Sequence, residues 1–173
     1  MSLSRIRVRA GYTAGALALF FAEPTQESLV AGAALAAFGE LIRIWASGHI
    51  QKTLRLATGG PYAHTRNPLY LGSVLMALGL LVAARHLISV LAGLGYLAVF
   101  YPVIIKEEAK FLRGKFPNEY HDWARHVPIF FPRLIPSGPR ESKFELARLL
   151  ANHEWRSVLG LALLASYMIW RLG

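Results

Sequence analysis

The sequence contains no cysteine. A disulfide, a thiolate metal site, a cysteine nucleophile and a C-terminal prenylation box are therefore excluded. Charge is also scarce: Asp, Glu, Lys and Arg make up 17% of the residues, against roughly 25% in a soluble domain. No phosphate-binding glycine loop, G-x-S-x-G elbow or His-Glu-x-x-His pair occurs, and the six histidines show no metal-ligand spacing. His121 and His126 are five apart, and His153-Glu154 has no obvious partner in the pattern. Internal repeats and low-complexity linkers are missing too.

What the chain has in quantity is apolar side chains, 54% of 173 residues, a length suited to one domain spanning 1–173. A membrane span needs about 20 mostly apolar residues, and about 17 suffice. Five runs qualify as candidates: Ala10–Ala22, Leu29–Ala46, Leu69–Ala84, Leu87–Ile105 and Trp155–Leu172. The first is short unless Ile6 and Val8 join it and the neighbouring arginines snorkel. Its end, Ala22-Glu23-Pro24, lacks a small-x-small cleavage site, so the segment is expected to be retained. The expected fold is thus all-α, a polytopic membrane bundle of about five helices. Gly32, Ala36 and Gly39 allow close helix packing.

The net charge of +9 sits mostly near the ends of apolar runs, where it meets anionic headgroups rather than nucleic acid. With five spans, sixteen of the nineteen basic residues fall on the side holding the N-terminus, residues 47–68 and residues 106–156. By the positive-inside rule that side is the cytosol. The protein is therefore expected in the cytoplasmic membrane, with residues 59–72 and 106–136 together on the cytosolic face.

Three polar groups interrupt the apolar pattern. Glu40 and Arg43, three apart, share a helical face; they are either a functional intramembrane pair or a neutralised packing pair. Glu107-Glu108 follows the fourth run, and the two carboxylates can serve a cation or form a solvated cap beside Lys106 and Lys110. The run 116–132, FPNEYHDWARHVPIFFP, reads as an interfacial aromatic belt or as a folded cap, since its prolines argue against one continuous helix.

The stretch 59–72, GGPYAHTRNPLYLG, crowds glycine, proline, histidine, arginine and asparagine just before an apolar run. Thr58, Gly60, Pro61, Tyr62, Arg66, Asn67, Pro68, Tyr70 and Gly72 are followed by Glu108, Ala109, Leu112, Phe116, Pro117, Tyr120, Trp123, Val127 and Pro128. In this order and spacing they resemble the integral-membrane methyltransferases related to isoprenylcysteine carboxyl methyltransferase and the phospholipid N-methyltransferases. The resemblance covers residues 50–132. It implies S-adenosylmethionine as cofactor, held in a cytosolic pocket under a C-terminal cap. It also implies a pocket wall made of Leu54, Arg55, Leu56, Ala57, Tyr62, Asn67, Pro68, Leu69 and Tyr70, with Glu108 at the charged end of the cofactor.

Several positions depart from the family pattern. Asn67 stands where the family has His before Pro, Leu54 stands at a second usual His, and Ala109 replaces one Glu. Ile104 occupies the place of a substrate-contacting Arg in the prenylcysteine enzymes, which argues against an ordinary prenylated tail as acceptor. The implied activity is methyl transfer to a lipophilic or lipid acceptor entering from the bilayer, beside Phe100, Tyr101 and the Ile129-Phe130-Phe131 run. No catalytic residue is assigned; an amine acceptor would need a base, for which Glu40, Glu107 and a histidine are candidates. Two other readings are an NADPH-dependent membrane reductase of the sterol-reductase type and a non-catalytic membrane scaffold. Cofactor binding separates the three.

Overall fold

A computed structural model describes residues 3–50, 55–137 and 143–172. All regular structure among them is helical. The elements are α1 Leu3–Phe20, α2 Gln26–Ser47, a 3-10 turn Gly60–Ala63, α3 Pro68–Ala84, α4 Leu87–Lys115, α5 Pro117–His126, α6 Leu146–Ala151 and α7 Trp155–Leu172. Each of the five apolar runs is a helix. α1 starts at Leu3 rather than at the first continuous apolar residue, because arginine is a good helix former and nothing before Phe20 breaks the helix. α4 runs ten residues beyond Ile105, ending just before the Phe116-Pro117 junction. Among the described residues α2 and α4, with 22 and 29 residues, are long and apolar enough to cross a membrane; α3 is apolar but has 17.

The chain forms two compact units. The first comprises Met1–Phe38, Val74–Ile104 and Leu159–Gly173. Here α2 and α3 meet through small residues. A Cβ on Gly79 would lie 2.5 Å from the Gly32 carbonyl oxygen and 2.7 Å from the Ala36 nitrogen, so only glycine permits this backbone approach. The small residues that allow close helix packing are thus spent inside the chain. Side chains tie the helix ends: Ser28 Oγ donates to the Ala83 carbonyl at 3.2 Å and Ser89 Oγ to that of Ala18 at 2.9 Å. Arg171 donates to the last carbonyls around α1, Ala22 at 2.6 Å and Phe20 at 3.2 Å, a favourable place for a cation at a helix C-terminus. Ala22, Ala84 and Met168 make a small buried core. Val30, Leu91, Val99, Leu163 and Trp170 are exposed. An apolar exterior with small residues inside is what a lipid solvent selects.

The second unit, Gly39–Ser73 and Ile105–Val158, is different in character. Its core is aromatic: Ala46, Tyr62, Tyr120, Trp123 and Val127, with Leu56, Leu69 and Leu112 packed against it. It also holds a buried charge cluster. Arg43 pairs with Glu154 at 2.7 Å, lies 3.8 Å from Glu40, and donates to Ser73 Oγ. Ser157 Oγ donates to Glu40 at 2.7 Å. The Glu40–Arg43 proximity expected from spacing is present, but the shorter ion pair is with Glu154, a residue the sequence pattern left without a partner.

Candidate functional site

The site is built on the turn that precedes α3. Gly60 has φ +58°, and a Cβ there would come within 2.6 Å of the His49 ring, so both conformation and space call for glycine. Pro61 is the second residue of the 3-10 turn, closed by His64 N–H to the Pro61 carbonyl at 3.1 Å. The chain then enters α3 through Asn67, whose carbonyl accepts the Leu71 N–H at 3.0 Å.

Over this turn lies a cap made of α5 and the strap 127–137. Trp123 Nε1 donates to the Tyr62 carbonyl at 3.0 Å, Thr65 Oγ1 to that of Phe130 at 2.8 Å, and Asn67 Nδ2 to that of Ile129 at 2.7 Å. Backbone bonds continue the seam: Arg66 N–H to Pro128, Arg133 N–H to His64 and Ser137 N–H to Ala63, at 2.9–3.0 Å. The run 116–132 is therefore a cap on its inner side, with Tyr120 and Trp123 buried, while Phe131 on the outside is exposed. Asn67 has a structural use here: its side-chain amide donates to the strap.

Beneath the cap is a cavity of about 460 Å³, within the range of pockets that hold small organic ligands. Of the residues the resemblance implied, Arg55, Leu56, Ala57, Tyr62, Asn67, Pro68, Leu69, Tyr70 and Glu108 all line it. Leu54 lies outside the described residues. The walls also include residues that the resemblance did not assign to the pocket, among them Arg43, Ile50, Phe111, Lys115 and Trp123. Phe111, Leu112 and Lys115 stand three, four and seven positions after Glu108, so helical periodicity alone places them on its face.

Electrostatically the cavity is asymmetric. Among the described residues Glu108 is the one carboxylate in a lining that also holds Arg43, Arg55, Arg66 and Lys115. Arg66 is engaged, donating to the Tyr120 hydroxyl at 3.1 Å and lying 5.9 Å from that ring's centre. Glu108 is half-buried and, among the described residues, has no hydrogen bond or ion pair. Desolvation holds its carboxyl above the ordinary carboxylate range. The fully buried Tyr62 hydroxyl is pushed well up, first by burial and then by the Glu108 charge, so it remains protonated. Glu107, by contrast, is exposed and not part of the wall. Among the described residues no three His, Asp or Glu side chains are grouped to hold a metal ion.

The chain is thus an all-helical, membrane-associated protein with a polar-ended, aromatic pocket under a cap. Residues 27–119, more than half of it, match the phospholipid methyltransferase family, and the chain belongs to that family. It is 39% identical over 106 residues to the cobalt-zinc-cadmium resistance protein CzcN of Cupriavidus metallidurans, covering 60% of this chain and 47% of that one. It is 38% identical over 96 residues to the nickel-cobalt-cadmium resistance protein NccN of Alcaligenes xylosoxydans xylosoxydans, covering 53% and 44%. The chain spans about half the length of these curated relatives. No solved structure matches it.

Proposed function

We propose that the protein transfers a methyl group from S-adenosylmethionine to a lipophilic acceptor drawn from the membrane. The observation that carries this is Glu108: a half-buried carboxylate with no partner among the described residues, in an aromatic cavity of ligand size. A buried charge without a partner is costly, and a cationic ligand removes that cost. The cofactor supplies an electrophilic methyl group on a sulfonium and carries an ammonium and a carboxylate besides. The residues present fit it. Glu108 faces positive charge, and Tyr62, Tyr70, Phe111 and Trp123 offer flat surfaces for a purine. Arg43, Arg55 or Lys115 can take a carboxylate, and Leu56, Ala57, Pro68 and Leu69 exclude water. These assignments, with Leu54, Asn67 and a cofactor-binding core at about 50–132 of a single domain, make up the proposed site.

The chain's part in the chemistry is positional. Fixing an acceptor in line with the methyl carbon can supply up to roughly 7–11 kcal/mol of the barrier. We place the cap on the cytosolic side and read the five apolar runs as spans, the fourth ending at Ile105 so that Glu108 lies beyond it, following the distribution of arginine and lysine. A lipid chain reaching the pocket from the bilayer keeps about 0.8 kcal/mol per methylene that transfer through water would forfeit. The two relatives are named for metal resistance; on this reading any part the chain plays in that process runs through a methylated product.

Calorimetry of the purified protein in detergent tests the reading. Binding of S-adenosylmethionine supports it, whereas binding of NADPH points to a reductase and binding of neither to a scaffold.

A further inference from the structure

The strap 127–137 has an outer side that neither the fold nor the pocket uses. Phe131 is 80% exposed, Leu134 96% and Ile135 73%, the most continuous exposed apolar run of the second unit. These residues are not on a helix, so they are not the lipid-facing side of a span. Their backbone fixes the depth at which they can sit. The N–H groups of Phe131, Leu134 and Ile135 have no partner among the described residues. Unsatisfied peptide groups are not tolerated in the hydrocarbon interior, but water and headgroups satisfy them at the interface. The flanking charge has one sign. From Trp123 to Ser137 there is no Asp or Glu, and Arg125 and Arg133 are both exposed.

We infer that the strap is an interfacial wedge, with Phe131, Leu134 and Ile135 inserted among the headgroups of an anionic bilayer leaflet and Arg125 and Arg133 lying against lipid phosphates. The wedge rests on the membrane association of the chain and not on its methyl-transfer chemistry. Its consequence is geometric. The strap is bonded to Ala63, His64, Thr65, Arg66 and Asn67, so anchoring it sets the turn that walls the pocket at headgroup level. An acceptor's reactive group and its chain can then be served from one position. Arg133 is held by its own bond to the His126 carbonyl at 2.6 Å, which fixes one cation of the pair relative to the strap.

The lack of cysteine makes the test direct, because any single introduced thiol is the unique labelling site. Phe131→Cys, Leu134→Cys, Ile135→Cys and, as a control on the exposed face of α5, His121→Cys are each labelled with an environment-sensitive fluorophore. Each is reconstituted in vesicles of phosphatidylglycerol and phosphatidylcholine. Lipids carrying quenchers at graded depths should place the three strap labels about 5–10 Å below the headgroup surface, while the label at 121 answers only to aqueous iodide. Arg125→Gln, which breaks no contact seen among the described residues, should make insertion shallower in anionic vesicles and leave it unchanged in pure phosphatidylcholine. Iodide quenching at all four positions would overturn the inference in favour of a strap in water. Protection from both kinds of quencher would overturn it in favour of a protein partner on this face. Failure of cofactor binding in calorimetry would leave the depth measurement standing, so the two proposals fail separately.

Discussion

Replacing Glu108 by glutamine should push ligand binding and stability in opposite directions. The carboxylate is half-buried, lines the cavity and has no partner among the described residues. Burial raises its pKa above the unfolded value. Its protonated form is therefore the one the fold favours. The associated stability is fully present below the unfolded pKa and is lost as pH rises through the folded value. At neutral pH the ionised group is a cost to the empty protein, so Glu108→Gln should leave its unfolding temperature unchanged or raise it. Toward a cationic ligand the sign reverses. A charge-assisted hydrogen bond contributes about 1.5–3 kcal/mol, so calorimetry should show S-adenosylmethionine affinity falling roughly ten- to hundred-fold. Affinity of the unaltered protein should likewise fall as pH drops through the Glu108 pKa, and the fall should begin above the ordinary carboxylate range. Glu107→Gln, at an exposed position outside the pocket wall, should leave the affinity nearly unchanged. Equal small effects at 107 and 108, or a lowered unfolding temperature with intact affinity, would refute the assignment.

Three other outcomes are expected. Reporter fusions after Pro24, Ala57, Arg85, Pro136 and Gly173 should alternate outside, inside, outside, inside, outside; residues 57 and 136 on opposite sides of the membrane would exclude a shared cytosolic pocket. Asn67→Ala removes the bond to the Ile129 carbonyl and should cost about 1–3 kcal/mol in thermal unfolding, with weaker cofactor binding; unchanged stability would mean that the strap is not held there. At saturating cofactor in one detergent, an amine-bearing or neutral lipid should be methylated faster than a farnesyl-cysteine analogue of similar length, because Ile104 stands where the prenylcysteine enzymes carry arginine; the reverse order of rates would show that reading wrong.

The helices were legible because apolar runs and breakers are local signals. All five runs became helices, and Phe116-Pro117 ended α4 where the apolar pattern had already stopped. The 3-10 turn at Gly60–Ala63 was foreshadowed by Gly-Gly-Pro. The Glu40–Arg43 proximity followed from spacing on one helix, whereas the shorter pair with Glu154 did not, since it joins α2 to a residue far along the chain and no periodicity encodes that. Much of the pocket wall came from the resemblance rather than from the residues. Glu108 could then have led to Phe111, Leu112 and Lys115 by helical register alone. The run 116–132 divides for a physical reason: α5 turns Tyr120 and Trp123 inward, while the proline-rich strap that follows leaves Phe131 exposed. The second role of Asn67, as the tie between strap and turn, depends on a carbonyl 62 positions away and has no signature in the sequence.

The central claim is tested most directly by incubating the purified protein with methyl-labelled S-adenosylmethionine and total membrane lipids, then counting label in the organic extract. The account predicts labelled lipid that depends on the protein and falls at least about ten-fold with Glu108→Gln at subsaturating cofactor, in step with the lost affinity. Unlabelled extracts, together with calorimetry showing no binding of S-adenosylmethionine, would contradict it.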